Sequence, residues 1–348
     1  MRRMSSIPGV NLEALAAWMD GQDLSRGAIE GAALLAGGTQ NILVRFERGG
    51  TSYVLRRGPL HLRPKSNDAI RREMRVLAAL AGSDVPHPTF VVGCPEEDVM
   101  DGAAFYLMDV VDGFNPTTEL PDLHRGDAGV RREMGLCAVD GLSALGAIDH
   151  EAVGLGDVGK PDGFLERQEP RWLSELESYS RHEGYPGPDI PGLEDVATWL
   201  EANLPTSFRP GLSHGDFHLA NLLFRYDGPQ LAAIVDWEMC TIGDPLLDLG
   251  WLLATWPTSA EFGIGGALGG VGGLCGPDEL VARYATRTSR DLSAIAWYEV
   301  MACFKLGIVL EGTHARAFAG NAPVAIGDML HASTLGLFRR GLARLGRS

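Results

Sequence analysis

The spacing of apolar and polar residues divides the chain into two parts of different character. In roughly the first hundred residues, short apolar runs rich in β-branched and aromatic residues are typical of strands, and two stretches with helical periodicity accompany them. The Arg48-Gly49-Gly50 sequence between two of these runs predicts a hairpin turn. The patterns predict strands at 41–47, 51–57, 89–94 and 103–111 and helices at 11–20 and 67–81.

The rest of the chain is mostly helical in pattern. Asp112-Gly113-Phe114-Asn115-Pro116 is typical of a linker. Beyond it, apolar stripes predict helices at about 127–148, 161–183, 192–204, 277–288, 291–313 and 324–344, and a hairpin at 219–236. We therefore predict an α+β protein of two lobes. The first, at 1–111, is a small antiparallel sheet with a helix, and the second, at 112–348, is larger and mostly helical.

The composition agrees with a folded protein of the size of an enzyme and argues against several other classes of protein. The chain has 348 residues, of which 45% are hydrophobic and 22% charged, which is enough to bury a large core. A formal net charge of -15 argues against a nucleic-acid partner, because phosphate binding requires an excess of Lys and Arg. The five scattered cysteines form no CxxC pair, which favours a reducing, cytoplasmic location. We identify no signal peptide and no apolar run long enough to predict a membrane span.

A dense group of polar residues lies between His214 and Glu238. Asn221 opens one apolar run and Asp236 closes the next, with turn residues between the runs. Because Asn221 and Asp236 are equally distant from the centre of the turn, a hairpin would bring them opposite each other. Asp216 lies in the loop that precedes the first run. Carboxylate and amide oxygens grouped in this way are typical ligands of Mg²⁺.

This stretch resembles the catalytic loop and metal-binding strand of the aminoglycoside phosphotransferase and choline kinase family, which has the protein-kinase-like fold. His214-Gly215-Asp216 followed by Asn221 matches the order His-x-Asp-x-x-x-x-Asn, and Asp236 lies where kinases carry a second metal-binding aspartate. The resemblance implies that Asp216 is the catalytic base and that Asn221 and Asp236 hold Mg²⁺. It also implies that the phosphate donor is ATP, with GTP as the alternative nucleotide.

The first lobe contains a candidate ion pair. Strand alternation places Arg56 and Arg57 on opposite faces, and Glu73 lies within the apolar stripe of the following helix. Because a buried carboxylate needs a partner, we expect Arg56 to pair with Glu73, the alternative being a partly exposed Glu73 paired with Arg72 or solvent. By the resemblance, this pair positions the nucleotide phosphates. The family usually has Lys in place of Arg56, but a guanidinium can still hold a phosphate bidentately.

Two further segments are predicted to contact the nucleotide. In the turn Gly37-Gly38-Thr39-Gln40-Asn41, small residues let backbone N–H groups approach phosphates, which makes Gly37, Gly38, Thr39 and Asn41 candidate contacts. By the resemblance, backbone groups at Asp109 and Val111 face the adenine, although an ordinary edge strand explains that segment equally well. The YVLRR strand at 53–57 and the stretch 154–172 are most similar to family members fused to acyl-CoA dehydrogenases.

Other polar and aromatic residues have structural interpretations. His218 could contact the catalytic loop, but a structural histidine is the favoured interpretation. Asp248 is expected to brace the backbone of that loop. Four tryptophans are predicted to pack in the core, with one or two of them available to line an acceptor pocket: Trp172, Trp199, Trp251 and Trp297.

Together these features predict an ATP-dependent phosphotransferase that moves the γ-phosphate to a hydroxyl of a small molecule. The acceptor classes left open are aminoglycoside-like compounds, sugars, amino alcohols and hydroxyacyl-CoA thioesters. One alternative is a nucleotide-binding regulatory module without activity, because Arg56 replaces the usual Lys. The other is a metal-dependent phosphoester hydrolase that uses His214, Asp216 and His218.

Overall fold

The computed structural model describes residues 7–35, 41–257 and 266–346, and its first part is a five-stranded antiparallel sheet with two helices. The strands lie in the order β1-β2-β3-β5-β4. Their bounds are β1 (Ile29–Leu34), β2 (Ile42–Arg48), β3 (Thr51–Arg57), β4 (Phe90–Cys94) and β5 (Phe105–Asp109), and the helices are α1 (Leu12–Asp20) and α2 (Ser66–Ala79). The strands and helices predicted in this region are confirmed, with ends that differ by a few residues.

Local chemistry explains where these elements begin and which face they bury. Asn11 caps α1, since its side-chain oxygen accepts from the backbone N–H groups of Glu13 at 3.1 Å and Ala14 at 3.0 Å. In α2, residues at helical spacing are buried against the sheet, among them Ile70, Glu73 and Leu77. The predicted stripe therefore forms, and Glu73 faces inward with it.

The second part is mostly helical. Its helices are α3 (Asp122–Gly126), α4 (Ala128–Gly146), α5 (Gln168–Ser178), α6 (Leu193–Ala202), α7 (Leu246–Thr255), α8 (Gly266–Gly269), α9 (Pro277–Arg287), α10 (Ile295–Phe318) and α11 (Val324–Leu345). Two small antiparallel sheets lie among them, one of β6 (Gly211–Ser213) with β9 (Thr241–Gly243) and one of β7 (Leu222–Phe224) with β8 (Leu231–Ile234). The predicted α+β class with a sheet-rich and a helical part is confirmed.

The helix α10 forms the centre of the helical part and packs against α5, α6, α7 and α11. More than half of its residues are buried, including Tyr298, Phe304 and Ile308. Within the ranges given above, no helix is both long and apolar enough to cross a membrane. The predicted lobe boundary between Val111 and Asp112 falls in the segment that joins β5 to α3.

That connecting segment is hydrogen-bonded to the β7–β8 hairpin. The N–H of Phe114 donates to the carbonyl of Phe224 at 2.8 Å, and the N–H of Phe224 donates back to Phe114 at 2.9 Å. Gly113 permits this approach, because a Cβ there would lie 2.8 Å from Ala232 Cβ and 2.9 Å from the Phe224 carbonyl oxygen. The linker is thus fixed to the hairpin that carries two of the predicted site residues.

Candidate active site

The loop that follows β6 is held by one carboxylate of α7. Asp248 is buried, and its two side-chain oxygens accept from the backbone N–H groups of His214 at 2.6 Å and Gly215 at 2.8 Å. Burial raises the pKa of Asp248 to about 6, although both backbone hydrogen bonds oppose this rise. Gly215 has a φ of 86°, and a Cβ there would lie 2.5 Å from the Met239 carbonyl oxygen, so the turn requires glycine. The predicted brace by Asp248 is confirmed.

His214 is a structural residue of this loop. Its ring is fully buried, Nε2 lies 3.0 Å from the Val235 carbonyl oxygen, and Nδ1 accepts from the N–H of Asp216 at 3.3 Å. Because Nδ1 accepts and Nε2 faces a carbonyl, the ring is the neutral Nε2–H tautomer. Burial lowers the pKa of His214, in agreement with this form. Neither nitrogen is therefore free to bind a metal.

The carboxylate of Asp216 is held by three side chains. Trp251 Nε1 donates to Oδ1 at 3.0 Å, Asn221 Nδ2 donates to Oδ2 at 3.0 Å, and His218 Nε2 lies 3.2 Å from the same Oδ2. Burial alone would raise the pKa of Asp216, but the hydrogen bond from His218 and the nearby charges, Lys305 among them, together outweigh burial and lower it to about 2. Asp216 is consequently an ionised, oriented hydrogen-bond acceptor at neutral pH. His218 contacts the candidate base directly, which is the less favoured of the two sequence interpretations.

The hairpin brings Asn221 and Asp236 to the same end, but the predicted register is wrong by one residue. Val235, not Asp236, lies opposite Asn221, since its N–H donates to the Asn221 carbonyl at 2.9 Å. The cause is an irregularity between Leu223 and Phe224, which shifts the strand pairing. Asp236 leaves the strand with a φ of 68°, a left-handed conformation that is uncommon outside glycine.

The predicted ion pair between Arg56 and Glu73 forms and extends to Asp236. Arg56 Nε lies 2.8 Å from Glu73 Oε2 without hydrogen-bond geometry, while its Nη2 donates to Glu73 Oε1 at 3.2 Å and to Asp236 Oδ1 at 2.6 Å. Burial alone would lower the pKa of Arg56, but the adjacent carboxylates, above all Glu73, raise it. The hydroxyl of Tyr106 also donates to Glu73 Oε2, at 2.9 Å. Arg57, on the opposite face, is also buried.

The oxygen donors at the end of the hairpin fit a hard divalent cation. Asn221 uses its Nδ2 to bind Asp216, which leaves its amide oxygen for another partner. One carboxylate oxygen of Asp236 accepts a hydrogen bond from Arg56. The Asp236 side chain is 39% exposed, so its second oxygen is accessible. One amide and one carboxylate oxygen, with space for water, suit Mg²⁺ better than a softer metal. Glu238 adds a further carboxylate, whose Oε2 accepts from Asn41 Nδ2 at 2.9 Å.

The other predicted nucleotide contacts are only partly visible. Gly37, Gly38 and Thr39 lie outside the described residues, whereas Asn41 binds Glu238 as stated above. The N–H of Asp109 is occupied, because it donates to the Thr89 carbonyl at 3.0 Å. Val111 is half-buried just beyond β5. Their contacts with a nucleotide remain predictions.

A cavity of about 370 Å³ opens beside the catalytic loop and contains three cationic side chains. Lys305 Nζ lies 4.3 Å from the ring centroid of Trp251 and 5.5 Å from that of Trp172, and donates to the Gly215 carbonyl at 3.3 Å. Burial lowers the pKa of Lys305. The other residues that line the cavity include Arg72, Arg171, Trp172, Trp251 and Met301, and Asp248 is the acidic residue among them.

Sequence reasoning missed Lys305 and the hydrogen bond from Trp251 to Asp216. Trp251 follows Asp248 by three positions, so both point from one face of α7 toward the loop. This spacing was a usable signal for Trp251. The sequence signal for Lys305 was weaker, because it was only a single lysine within the long apolar pattern of α10. Two of the four tryptophans, Trp172 and Trp251, do line the cavity.

The comparisons with known proteins agree with the fold. The sequence model of the phosphotransferase enzyme family matches residues 31–298, and the chain belongs to this family. Among curated proteins, acyl-CoA dehydrogenase family member 11 of Gallus gallus is 29% identical over 294 residues, and that of Rattus norvegicus is 30% identical over 292 residues. Each match covers 82% of this chain but 36% of the relative, so the chain spans about a third of those proteins.

Solved structures share the whole architecture. One of them is a Ralstonia eutropha protein named as an aminoglycoside phosphotransferase. It superposes on this chain with a TM-score of 0.80 at 27% identity, and the match covers 97% of this chain and 98% of that one. Aminoglycoside 2'-phosphotransferase-IIIa, at 18% identity, covers 94% of this chain and 99% of its own with a TM-score of 0.61, a likeness of fold alone. The predicted protein-kinase-like fold and the resemblance to the subset fused to acyl-CoA dehydrogenases are confirmed.

Proposed function

We propose that this kinase-like phosphotransferase transfers the γ-phosphate of ATP, with GTP as the alternative donor, to a hydroxyl group of a small molecule. The observation that carries the proposal is the ionised Asp216, held by three donors beside a cavity large enough for an acceptor. A carboxylate in this state is suited to orient an acceptor hydroxyl and take its proton. Its ordered position means that little reorganisation is needed when the acceptor binds.

Other residues around Asp216 would bind the metal ion and the phosphates and hold the loop in position. Asn221 and Asp236 would hold Mg²⁺, which when bound offsets the negative charge of the nucleotide phosphates. Arg56, fixed by Glu73, would bind phosphate oxygens through its guanidinium. Asp216 would accept the hydroxyl proton at Oδ2 or Oδ1 as the acceptor oxygen bonds to the γ-phosphorus and the bond between that phosphorus and the nucleoside diphosphate oxygen breaks. Asp248 keeps the loop backbone in place during this step.

The acceptor is best matched by an anionic hydroxy compound. Arg72, Arg171 and Lys305 line the cavity, whereas Asp248, the acid in the same lining, is already bound to backbone N–H groups. A carboxylate or phosphate on the acceptor would therefore meet a lining with more positive than negative side chains. A polycationic aminoglycoside would meet repulsion at the same place. Among the acceptor classes considered, a hydroxyacyl-CoA thioester is the one that always carries phosphates.

The two alternative functions are less well supported. The hydrolase would need His214 as a metal ligand, but both of its ring nitrogens are occupied in the buried loop. The inactive regulatory module was suggested by Arg56 in place of Lys. The ion pair of Arg56 with Glu73 and the ionised state of Asp216 instead favour an active site.

An acceptor screen tests both parts of the proposal. Release of ADP from MgATP is measured with hydroxy carboxylates, sugar phosphates and hydroxyacyl-CoA, and separately with neutral sugars, amino alcohols and aminoglycosides. We expect turnover with an anionic compound, and a decrease of roughly 10²–10⁴-fold for Asp216→Asn with ATP binding near normal. Full activity of that variant would refute the role of Asp216.

The charge of the acceptor is tested by Lys305→Met. We expect its KM for an anionic acceptor to rise about tenfold or more, because a hydrogen bond to a charged group is lost. Lys160→Met, at an exposed position, is the matched control and should leave KM unchanged. Turnover of cationic compounds alone, with no effect of Lys305→Met, would contradict the anionic acceptor while leaving the phosphotransfer proposal intact.

A further inference from the structure

A second cluster of potential metal ligands lies at the crossing of α10 and α11, in neither the catalytic loop nor the cavity beside it. Glu311 and His314 are three residues apart on α10, so they share one face of that helix. Asp328 and His331 have the same spacing on the facing helix α11. One ligand atom each from Glu311, His314 and His331 lie within 4.8 Å of one another.

One buried polar atom of this cluster, Nδ1 of His314, has no hydrogen-bond partner. Glu311 is completely buried, and its Oε2 lies 2.7 Å from His331 Nδ1. His314 Nδ1 is buried and has no hydrogen-bond partner, since Asp328 Oδ1 is 3.7 Å away. Buried polar atoms normally have a partner, and an exception of this kind calls for a water or an ion.

We propose that Glu311, His314 and His331 bind a divalent transition metal, with Zn²⁺ as the best match. Two imidazoles and one carboxylate are a donor set that suits zinc, whereas Mg²⁺ prefers oxygen alone. Tetrahedral zinc ligands are about 3.3 Å apart, so the contact between Glu311 and His331 would open by about half an ångström. The proton on His331 Nδ1 would move to Nε2 or to solvent as the metal binds. Asp328, whose side chain is 66% exposed, can supply an oxygen as the fourth ligand.

The surroundings support a built site. The hydroxyl of Tyr185 donates to Glu311 Oε1 at 2.7 Å, which orients the carboxylate as outer-shell partners do at metal centres. The rings of Tyr185 and Phe318 contact His314 edge-on, with centroids 6.4 Å and 5.1 Å from that of His314, and shield it. At Gly327, a Cβ would lie 2.7 Å from Ala317 Cβ, so glycine allows α11 to approach α10 beside the cluster.

Metal titration of the whole chain tests the proposal without any activity assay. The protein is stripped with a chelator, and zinc is added in equilibrium dialysis, with the melting temperature followed in parallel. We expect one zinc ion per chain and a higher melting temperature with Zn²⁺ than with Mg²⁺. With Co²⁺ as the probe, we expect the strong visible bands of a low-coordinate cobalt site with nitrogen ligands.

Variants locate the bound ion. His314→Gln and His331→Gln should each weaken zinc binding at least about tenfold. His61→Gln, at an exposed position, is the matched control, and His218→Gln excludes binding at the catalytic loop; both should bind zinc as the unaltered chain does. Absence of stoichiometric binding, or loss of it in His218→Gln alone, would overturn the proposal. If His331→Gln fails to fold, the cobalt spectrum of the unaltered chain and the zinc titration of His314→Gln decide whether the cluster binds the metal.

Discussion

The individual residue on which the site depends is Asp216, whose ionisation is controlled by its neighbours. Burial favours the neutral acid, and the hydrogen bond from His218 together with nearby charges reverses that preference. The stability contributed by this carboxylate is therefore fully present above its unfolded pKa of about 3.9 and is lost as the pH falls through about 2. Within the working range of pH, Asp216 is therefore ionised.

This dependence gives a prediction for the pH profile. His218→Gln keeps a hydrogen-bond donor and His218→Ala removes it, so the pKa of Asp216 should rise more in the alanine variant than in the glutamine variant. The acidic limb of kcat/KM, measured from about pH 2 to 8, should move to higher pH in the same order. An acidic limb that does not move in either variant would show that His218 does not set the ionisation of Asp216.

The residues of the site differ in how well the sequence reveals them. Asp216, Asn221 and Asp236 have fixed spacing within one short stretch, and Glu73 is a charge within an apolar stripe, so all four are found by pattern. Lys305 resembles a core position that happens to be basic, because periodicity cannot distinguish a helix face that lines a cavity from one that packs. The cluster of Glu311 and His331 depends on the crossing of two helices, which no local pattern specifies.

Among the elements, the linker and the β7–β8 hairpin act as one unit. The two hydrogen bonds between Phe114 and Phe224 require the close approach at Gly113. Elements with strong periodicity, such as α2 and α11, were predicted within a few residues. The three-residue strands β6 and β9 are too short to give any alternation, and the irregularity in β7 moved the predicted pairing by one residue.

The close approach at Gly113 can be tested by stability. Gly113→Ala would bring a methyl group to 2.9 Å from a backbone carbonyl oxygen, so we expect a loss of about 1–3 kcal/mol in the free energy of unfolding. Gly126→Ala is the control, since nothing lies within 4 Å of a Cβ there. Urea unfolding followed by circular dichroism measures both. Equal stability of the two variants would mean that the linker is not tightly fixed to the hairpin.

At the scale of the whole molecule, Arg56 joins the sheet to the helical part. Its guanidinium contacts Glu73 on α2 and Asp236 beyond β8, and Arg72 adds a hydrogen bond from α2 to the Glu238 carbonyl. The two-lobe architecture was predictable because strand and helix patterns separate cleanly along the chain. The contact with Asp236 was not, since it depends on how the lobes meet.

Loss of Arg56 should affect the entire fold. Arg56→Met leaves Glu73 buried without its cation, which we expect to cost about 3–5 kcal/mol in the free energy of unfolding. Adding Glu73→Gln should recover part of this loss, because the uncompensated charge is then removed. Arg132→Met, which breaks an exposed pair with Glu279, should leave the free energy of unfolding almost unchanged. Strictly additive effects in the double variant would argue against the coupling of Arg56 and Glu73.

The attachment of the catalytic loop to α7 has a kinetic consequence. Asp248 binds the backbone of the loop, and Trp251, one turn later, binds the carboxylate of Asp216. The amide protons of His214 and Gly215 can exchange with solvent only when their hydrogen bonds to Asp248 break, and Asp248 is buried on a helix that is itself mostly buried. Deuterium should therefore enter these two amides as slowly as it enters the interior of the protein, although they belong to a loop.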